Sequence, residues 1–180
     1  MAKERSSVPA NLRWRLEDIF ATQEEWEALY ASVAGRLDFS AYEGKLADRD
    51  TLLACFRALN DVVKDLSILG VYAFMKKDED TRVAASTALN SRVETLEVKL
   101  SGNTAFLTPE LTALPEETLR ALIDDPRFAD YDYTLRGILK QKPHVLSRET
   151  EEVLALGGKV FGGFHDISAC WIMPISPVRP

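Results

Sequence analysis

Two imidazoles, two thiols and one acidic cluster are the side chains of this sequence best suited to chemistry. His144 and His165 are its only histidines, and they do not stand in His-x-x-x-His spacing. A zinc-hydrolase motif of the His-Glu-x-x-His type needs two imidazoles one helical turn apart, so this chain cannot build one. His144 follows Pro143 at an expected helix end. An imidazole there could act as a base, but the expectation is a structural hydrogen-bonding group. Cys55 and Cys170 are too few and too far apart for a disulfide framework, which fits a reducing cytoplasm. Asp78-Glu79-Asp80 could gather a divalent cation, yet it lacks the glycine and the closing Glu of a calcium loop. A solvated corner with a capping carboxylate is expected instead. Gly157-Gly158 and Gly162-Gly163 flank Lys159-Val160-Phe161, but they follow an expected helix, whereas a dinucleotide loop follows a strand. There is no Gly-x-Ser-x-Gly elbow and no phosphate-cradling Gly-x-x-x-x-Gly-Lys. No catalytic residue, no metal ligand and no substrate-binding residue is assigned, and no cofactor is expected in this chain.

The elements that would have to position any site are helical. From Asp50 to Leu100 the sequence reads as two long helices folded back at Lys76-Lys77-Asp78-Glu79-Asp80. In the first arm Leu52, Phe56, Leu59, Val63, Leu66, Gly70 and Ala73 recur at alternating spacings of four and three. A seam with a period near 3.5 is buried by laying it along another helix. About 27 residues at ~1.5 Å each make that arm a rod of roughly 40 Å. The second arm offers Ala85, Leu89, Val93, Leu96 and Leu100. Gly70 and Ala73 thin the seam, which predicts close approach of the two backbones. Asp48 or Asp50 is expected to start the first arm, and Asp78 or Asp80 to cap the second. Cys55, one step off the seam, is expected to be a small buried thiol.

Shorter elements surround this hairpin. Trp14, Leu16, Ile19 and Phe20 are expected to pin an early segment to the body. Thr22-Gln23-Glu24-Glu25 has the form of a capping box that opens a helix with Trp26, Leu29, Tyr30, Val33 and Leu37 on its inner side. Beyond the hairpin, which could run to Phe106, Thr108-Pro109-Glu110 and Pro115-Glu116-Glu117 read as helix starts. A further helix is expected from about Asp130 to Gln141, with Tyr131 inward, Tyr133 outward, and Pro143 ending it. Ser147 would cap a last helix carrying Val153, Leu154 and Leu156. With no alternating strand pattern, the expected class is all-α: a long antiparallel helical hairpin packed with several shorter helices.

The totals agree with a folded helical domain. The chain has 180 residues, 46% hydrophobic and 28% charged, enough to build a core. A net charge of −6 without a basic stripe argues against nucleic acid as a partner. The longest apolar run is far too short to cross a bilayer, so no membrane association is expected, and no secretory signal is visible.

Several segments in order resemble the amino-terminal region of oligoendopeptidase F, in the thimet-type family of zinc metallopeptidases. They are Trp14-x-Leu16-x-Asp18-Ile19-Phe20 with Trp26, Tyr42-x-x-Lys45-Leu46, Tyr72-Ala73-x-Met75 with Asp78-Glu79-Asp80, and Phe106-x-x-Pro109-Glu110-Leu111. The longest is Ile138-Leu139-Lys140-Gln141-Lys142-Pro143-His144-x-Leu146-Ser147, with Glu151 and Leu154 after it. The resemblance implies a helical wall of the cleft in a zinc enzyme that cleaves short peptides. The zinc and the catalytic residues would lie further along a longer chain, whose downstream catalytic domain would be the partner of this one. Residues 1–12 would be a flexible amino-terminal arm and residues 13–167 the helical domain.

After Ile167 the family is expected to continue roughly Phe-Ser-Met-Leu-Asp-Asn-Ala-Asp-Ile, whereas this chain reads Ser168-Ala169-Cys170-Trp171-Ile172-Met173-Pro174-Ile175. One reading frame converts to the other by loss of a single T: ATT TTC AGC ATG CTG becomes ATT TCA GCA TGC TG. Residues 168–180 are therefore expected to be an out-of-frame, disordered tail. The alternative is a stand-alone helical interaction module that uses Trp171, Ile172, Met173 and Ile175 as a docking tail.

Overall fold

The computed structural model describes residues 8–80 and 82–144. The chain divides into two compact units, Met1–Leu139 and Lys140–Pro180. All regular structure among the described residues is helical, as the absence of alternating apolar patterns predicts. The expected helix after Ser147, the Gly-rich segment, His165, Cys170 and the 168–180 tail lie outside the described residues.

In the first unit a turn of 3-10 helix at Ala10–Leu12 precedes a second at Leu16–Asp18. Leu16 and Phe20 are buried, and the Phe20 ring meets Tyr72 edge-on at 5.2 Å between centroids. Trp14, expected to help pin this segment, stays about half exposed, because the turn points Leu16 and Phe20 inward instead. Helix α1 spans Gln23–Ala34, and Thr22 caps it: its Oγ1 accepts the Glu25 amide at 3.3 Å. The Glu25 carboxylate reaches back one residue further than a standard capping box, accepting the Ala21 amide at 2.8 Å. Such a cap contributes about 1 kcal/mol. Trp26 and Val33 are fully buried. Past the helix end Arg36 donates to the Ser32 carbonyl and pairs with Asp65 at 2.6 Å, so its charge sits at the negative end of the dipole.

Helix α2 spans Arg49–Glu79, 31 residues, or about 46 Å at ~1.5 Å each. Asp48, not Asp50, is its cap, accepting both the amide and the hydroxyl of Thr51. Helix α3 spans Ala84–Asn103 and returns along it. The most extensive packing in the fold is between these two, followed by α1 against α2. The buried seam of α2 is Leu52, Cys55, Val62, Leu66, Leu69 and Ala73. Of the expected seam Leu52, Phe56, Leu66 and Ala73 are buried and Leu59 and Gly70 half-buried, but Val63 is 43% exposed, and Cys55, Val62 and Leu69 form a second buried row beside it. Both registers repeat every 3.5 residues, and an apolar or small residue occupies both choices at each step. What decides is that α2 is flanked on two sides, by α1 at Leu69 and by α3 at Gly70. A Cβ at Gly70 would sit 3.6 Å from the Val93 side chain, so the neighbour there is a methyl group and not the opposing backbone.

The second arm buries Leu89, Val93, Leu96 and Leu100 as expected, but Ser86 replaces Ala85 on the inner side. The corner also differs. Helix α2 runs through Glu79, Val83 stands at the N-cap of α3 without a side-chain bond, and Asp80 does not cap it. Asp80 instead accepts the amide and the guanidinium of Arg82. Helix α3 stops at Asn103, short of Phe106, where Thr104 bonds back to the Leu100 carbonyl.

Helix α4 spans Leu107–Ala113, opening one residue before Thr108, which is therefore not its cap. Helix α5 spans Glu116–Ile123 and begins after Pro115, as the sequence predicts. A 3-10 segment, Pro126–Tyr131, carries the fully buried Phe128 into α6, Asp132–Gln141. Leu135 and Ile138 face inward, Tyr131 is half-buried, and Tyr133 is almost fully exposed. Of the second unit, the described residues are the end of α6 and a 3-10 turn at Lys142–His144.

Candidate functional site

Among the described residues, the side chains with chemical potential are engaged in holding helices together. No group of three or more His, Cys, Asp or Glu among them could hold a metal ion. Asp78 faces solvent, while the Arg82 guanidinium beside Asp80 lowers that carboxyl to about 2. Cys55 is completely buried, and burial, with the Glu110 carboxylate nearby, pushes its thiol up to about 11. A protonated, inaccessible thiol is a poor nucleophile. His144 belongs to the terminal 3-10 turn.

Three ties went unread in the sequence. The first joins α1 to α3. The Arg92 guanidinium lies 4.8 Å from the Trp26 ring centre and 4.2 Å from that of Tyr30, and it makes paired bonds of 2.7 and 2.6 Å to Glu27. Those bonds hold the Glu27 carboxyl below its usual range and raise Arg92 further. Trp26 also donates its indole N–H to the Leu69 carbonyl at 3.4 Å, so one residue of α1 touches both arms of the hairpin. The second tie is Glu110, on α4, whose carboxylate accepts the amides of Gly44 and Leu46. Gly44 has φ +74, a conformation that favours glycine. The third is Asp125, which holds Arg127 in a turn, while Arg127 also reaches Asp50 at 2.7 Å. Apart from the local Asp125–Arg127 turn, these are not legible from local spacing, because the partners lie many residues away in the sequence.

What remains as recognition surface is of two kinds, and the first is a polar cavity of about 460 Å³ lined by Asp38, Ser40, Glu43, Asn103 and Phe106. The second, a mainly apolar groove of about 410 Å³, runs between α2 and α3, lined by Leu59, Val63, Leu66 and Ser67 on one side and Glu97, Leu100, Ser101 and Thr104 on the other. Beside it Val63, Ile68, Val71 and Phe74 stand exposed on the outer face of α2. Such a surface can bind apolar side chains, with the Glu97 carboxylate as the one charged group on the groove's wall. Among the described residues no helix is long and apolar enough to cross a membrane.

Comparison with known proteins agrees in one direction. Residues 110–168 match the family model described as Oligopeptidase F. The chain is 35% identical to Oligopeptidase PepF of Bacillus subtilis over 162 residues, which is 88% of this chain and 24% of that protein. It is 33% identical to Group B oligopeptidase PepB of Streptococcus agalactiae, over 90% of this chain and 28% of the relative. Among solved structures, oligoendopeptidase-F of Enterococcus faecium superposes with a TM-score of 0.62 at 25% identity, covering 78% of this chain and 28% of that one. A Chlamydophila abortus crystal structure gives a TM-score of 0.77 at 22% identity, over 87% of this chain and 27% of that one, which speaks to the fold alone. The chain thus spans about a quarter of the length of the curated relatives it matches.

Proposed function

The chain is an amino-terminal region of the oligoendopeptidase F family, and from that premise we propose that it serves as a non-catalytic helical wall of the cleft in an oligopeptide-cleaving enzyme. The observation that carries the reading is a contrast. The chain aligns over nearly all its length with only a quarter of each relative, while its own side chains form structural ties and apolar surface. Zinc, expected in the family's full-length enzymes, does not fit the residues present. Two histidines out of His-x-x-x-His spacing cannot supply the donor set, and no described carboxylates converge on a common point. No hydrolytic step is therefore assigned to any residue here.

On this reading the partner is the downstream region that the longer relatives carry, and the substrates of the assembled enzyme are short peptides. The wall would act by binding and orientation, lowering the entropy cost of bringing a flexible peptide to the reacting centre. A cytoplasmic location is supported by the free, buried Cys55 thiol. The test is a quenched fluorescent peptide incubated with the purified chain, with the downstream three-quarters of the Bacillus subtilis relative, and with both together. The reading expects turnover only in the mixture. Cleavage by the chain alone would contradict it.

A further inference from the structure

The outer face of α2 carries a largely apolar stripe, interrupted by Asn60 and Ser67, that the other described residues cover along only part of its length. Leu53 and Phe56 begin it, and both are buried. The Phe56 ring lies 4.9 Å from Tyr131 and 6.4 Å from Phe128, so the 3-10 segment before α6 forms the cover. At helical spacings of three and four the same face continues through Asn60, Val63, Ser67, Val71 and Phe74. Among the described residues the cover stops beyond Phe56. Val63 is 43% exposed, Val71 52% and Phe74 55%, with Ile68 at the edge of the strip. One helix face is thus a core surface at one end and bare at the other. The relatives are about four times as long as the stretch they share with this chain.

We propose that residues 63–75 of α2 are the docking surface for the downstream region of the longer relatives, which continues the cover begun by Phe128 and Tyr131. The inference rests on the domain reading given above. Lys64 and Asp78 border the strip, so the covering surface is apolar at its centre with charges of both signs at its rim, the usual anatomy of a stable interface. The α2–α3 groove opens beside Val63 and would take side chains from the same cover.

The test measures association of the 180-residue chain with the downstream three-quarters of the Bacillus subtilis relative, for the parent, Val71→Asp, Phe74→Asp and Val98→Asp. Val98 is 73% exposed and stands on α3, a different helix from the strip. All three sites face solvent, so circular dichroism should show each variant folded. Burying a carboxylate at the centre of an interface should weaken binding by at least about tenfold, and that loss is expected for Val71→Asp and Phe74→Asp but not for Val98→Asp. Hydroxyl-radical oxidation of Phe74 and Met75 should fall when the downstream region is added. Undiminished binding by both strip variants overturns the inference and leaves the domain reading standing. Absence of binding by the parent overturns both. A dimer of the chain alone that Phe74→Asp dissolves, and that the downstream region cannot displace, would assign the strip to a second copy and overturn the inference too.

Discussion

Replacing Gly70 by Ala should stabilise the helical hairpin, and the amount reads out how closely its arms approach. Gly70 lies deep inside α2, where glycine costs about 1 kcal/mol relative to alanine. The added methyl would meet Val93 Cγ1 at 3.6 Å, ordinary van der Waals contact, with nothing else beyond the helix's own backbone within 4 Å. It therefore adds part of the ~0.8 kcal/mol that a buried methylene contributes, without overpacking. The total is about 1–1.5 kcal/mol. With a urea dependence of roughly 2 kcal/mol per M for a domain of this size, the unfolding midpoint should rise by about 0.5 M. Gly137→Ala is the control, since a Cβ there meets nothing within 4 Å and reports helix propensity alone, about 1 kcal/mol. Urea titrations of both variants followed by circular dichroism make the comparison. If Gly137→Ala stabilises while Gly70→Ala lowers the midpoint, the arms lie closer than a methyl permits, and the description of this seam is wrong.

Arg92→Met should cost about 1 kcal/mol, kept modest because the Arg92 and Glu27 side chains are 38% and 44% exposed. A double-mutant cycle with Glu27→Gln in denaturant should recover most of it as coupling. Phe128→Ala empties a fully buried position beside Phe56 and should cost roughly 3–5 kcal/mol, seen as a lower unfolding midpoint. Asp80 has its carboxyl lowered in the folded chain, so its contribution to stability is complete above about pH 4 and is lost as pH falls toward about 2. Carboxyl NMR should follow that titration in the parent, and Asp80→Asn should remove this part of the acid dependence of unfolding. Cys55, raised by burial, should react with a thiol reagent in a Cys170→Ser background only after unfolding. For the 168–180 segment the proposal remains a frame change after Ile167. The family match ends at residue 168, and nucleotide sequence in which no single-base repair opens a downstream His-Glu-x-x-His motif would refute the proposal.

The elements legible in the sequence were those written in local chemistry. Thr22 with Glu25 and Pro115 with Glu116 mark helix starts by residues within one turn of each other, while for α2 the sequence leaves Asp48 and Asp50 as alternatives that only the bonds to Thr51 decide. The 3.5-residue repeat of α2 was equally visible, but not its register. Pairs such as Cys55-Phe56 and Val62-Val63 offer two equivalent apolar rows; the fold buries both members of the first pair but only Val62 of the second. The corner was misplaced because Lys76 through Glu79 extend α2 as readily as they would form a turn, and Asp80 then finds Arg82 rather than the amides of α3. Arg92, Glu110 and Arg127 were silent for a different reason. Their partners Glu27, Gly44 and Asp50 are brought near only by the fold. The bare strip on α2 could not be read from periodicity either, since a stripe looks the same whether or not something lies over it.

The Glu110 carboxylate has a practical consequence for how this molecule can be divided. It is the first residue of the stretch that the family model recognises, and its bonds run backward to the loop at Gly44 and Leu46. Arg127, also within that stretch, reaches back to Asp50. A boundary drawn at residue 110 would therefore cut through a fastening instead of falling between modules. The excised front piece would lose the anchor of its 44–46 loop together with Phe128 and Tyr131, leaving Phe56 in water. The back piece would lose the rod it clasps. Evolutionary bookkeeping and autonomous folding divide this chain at different places.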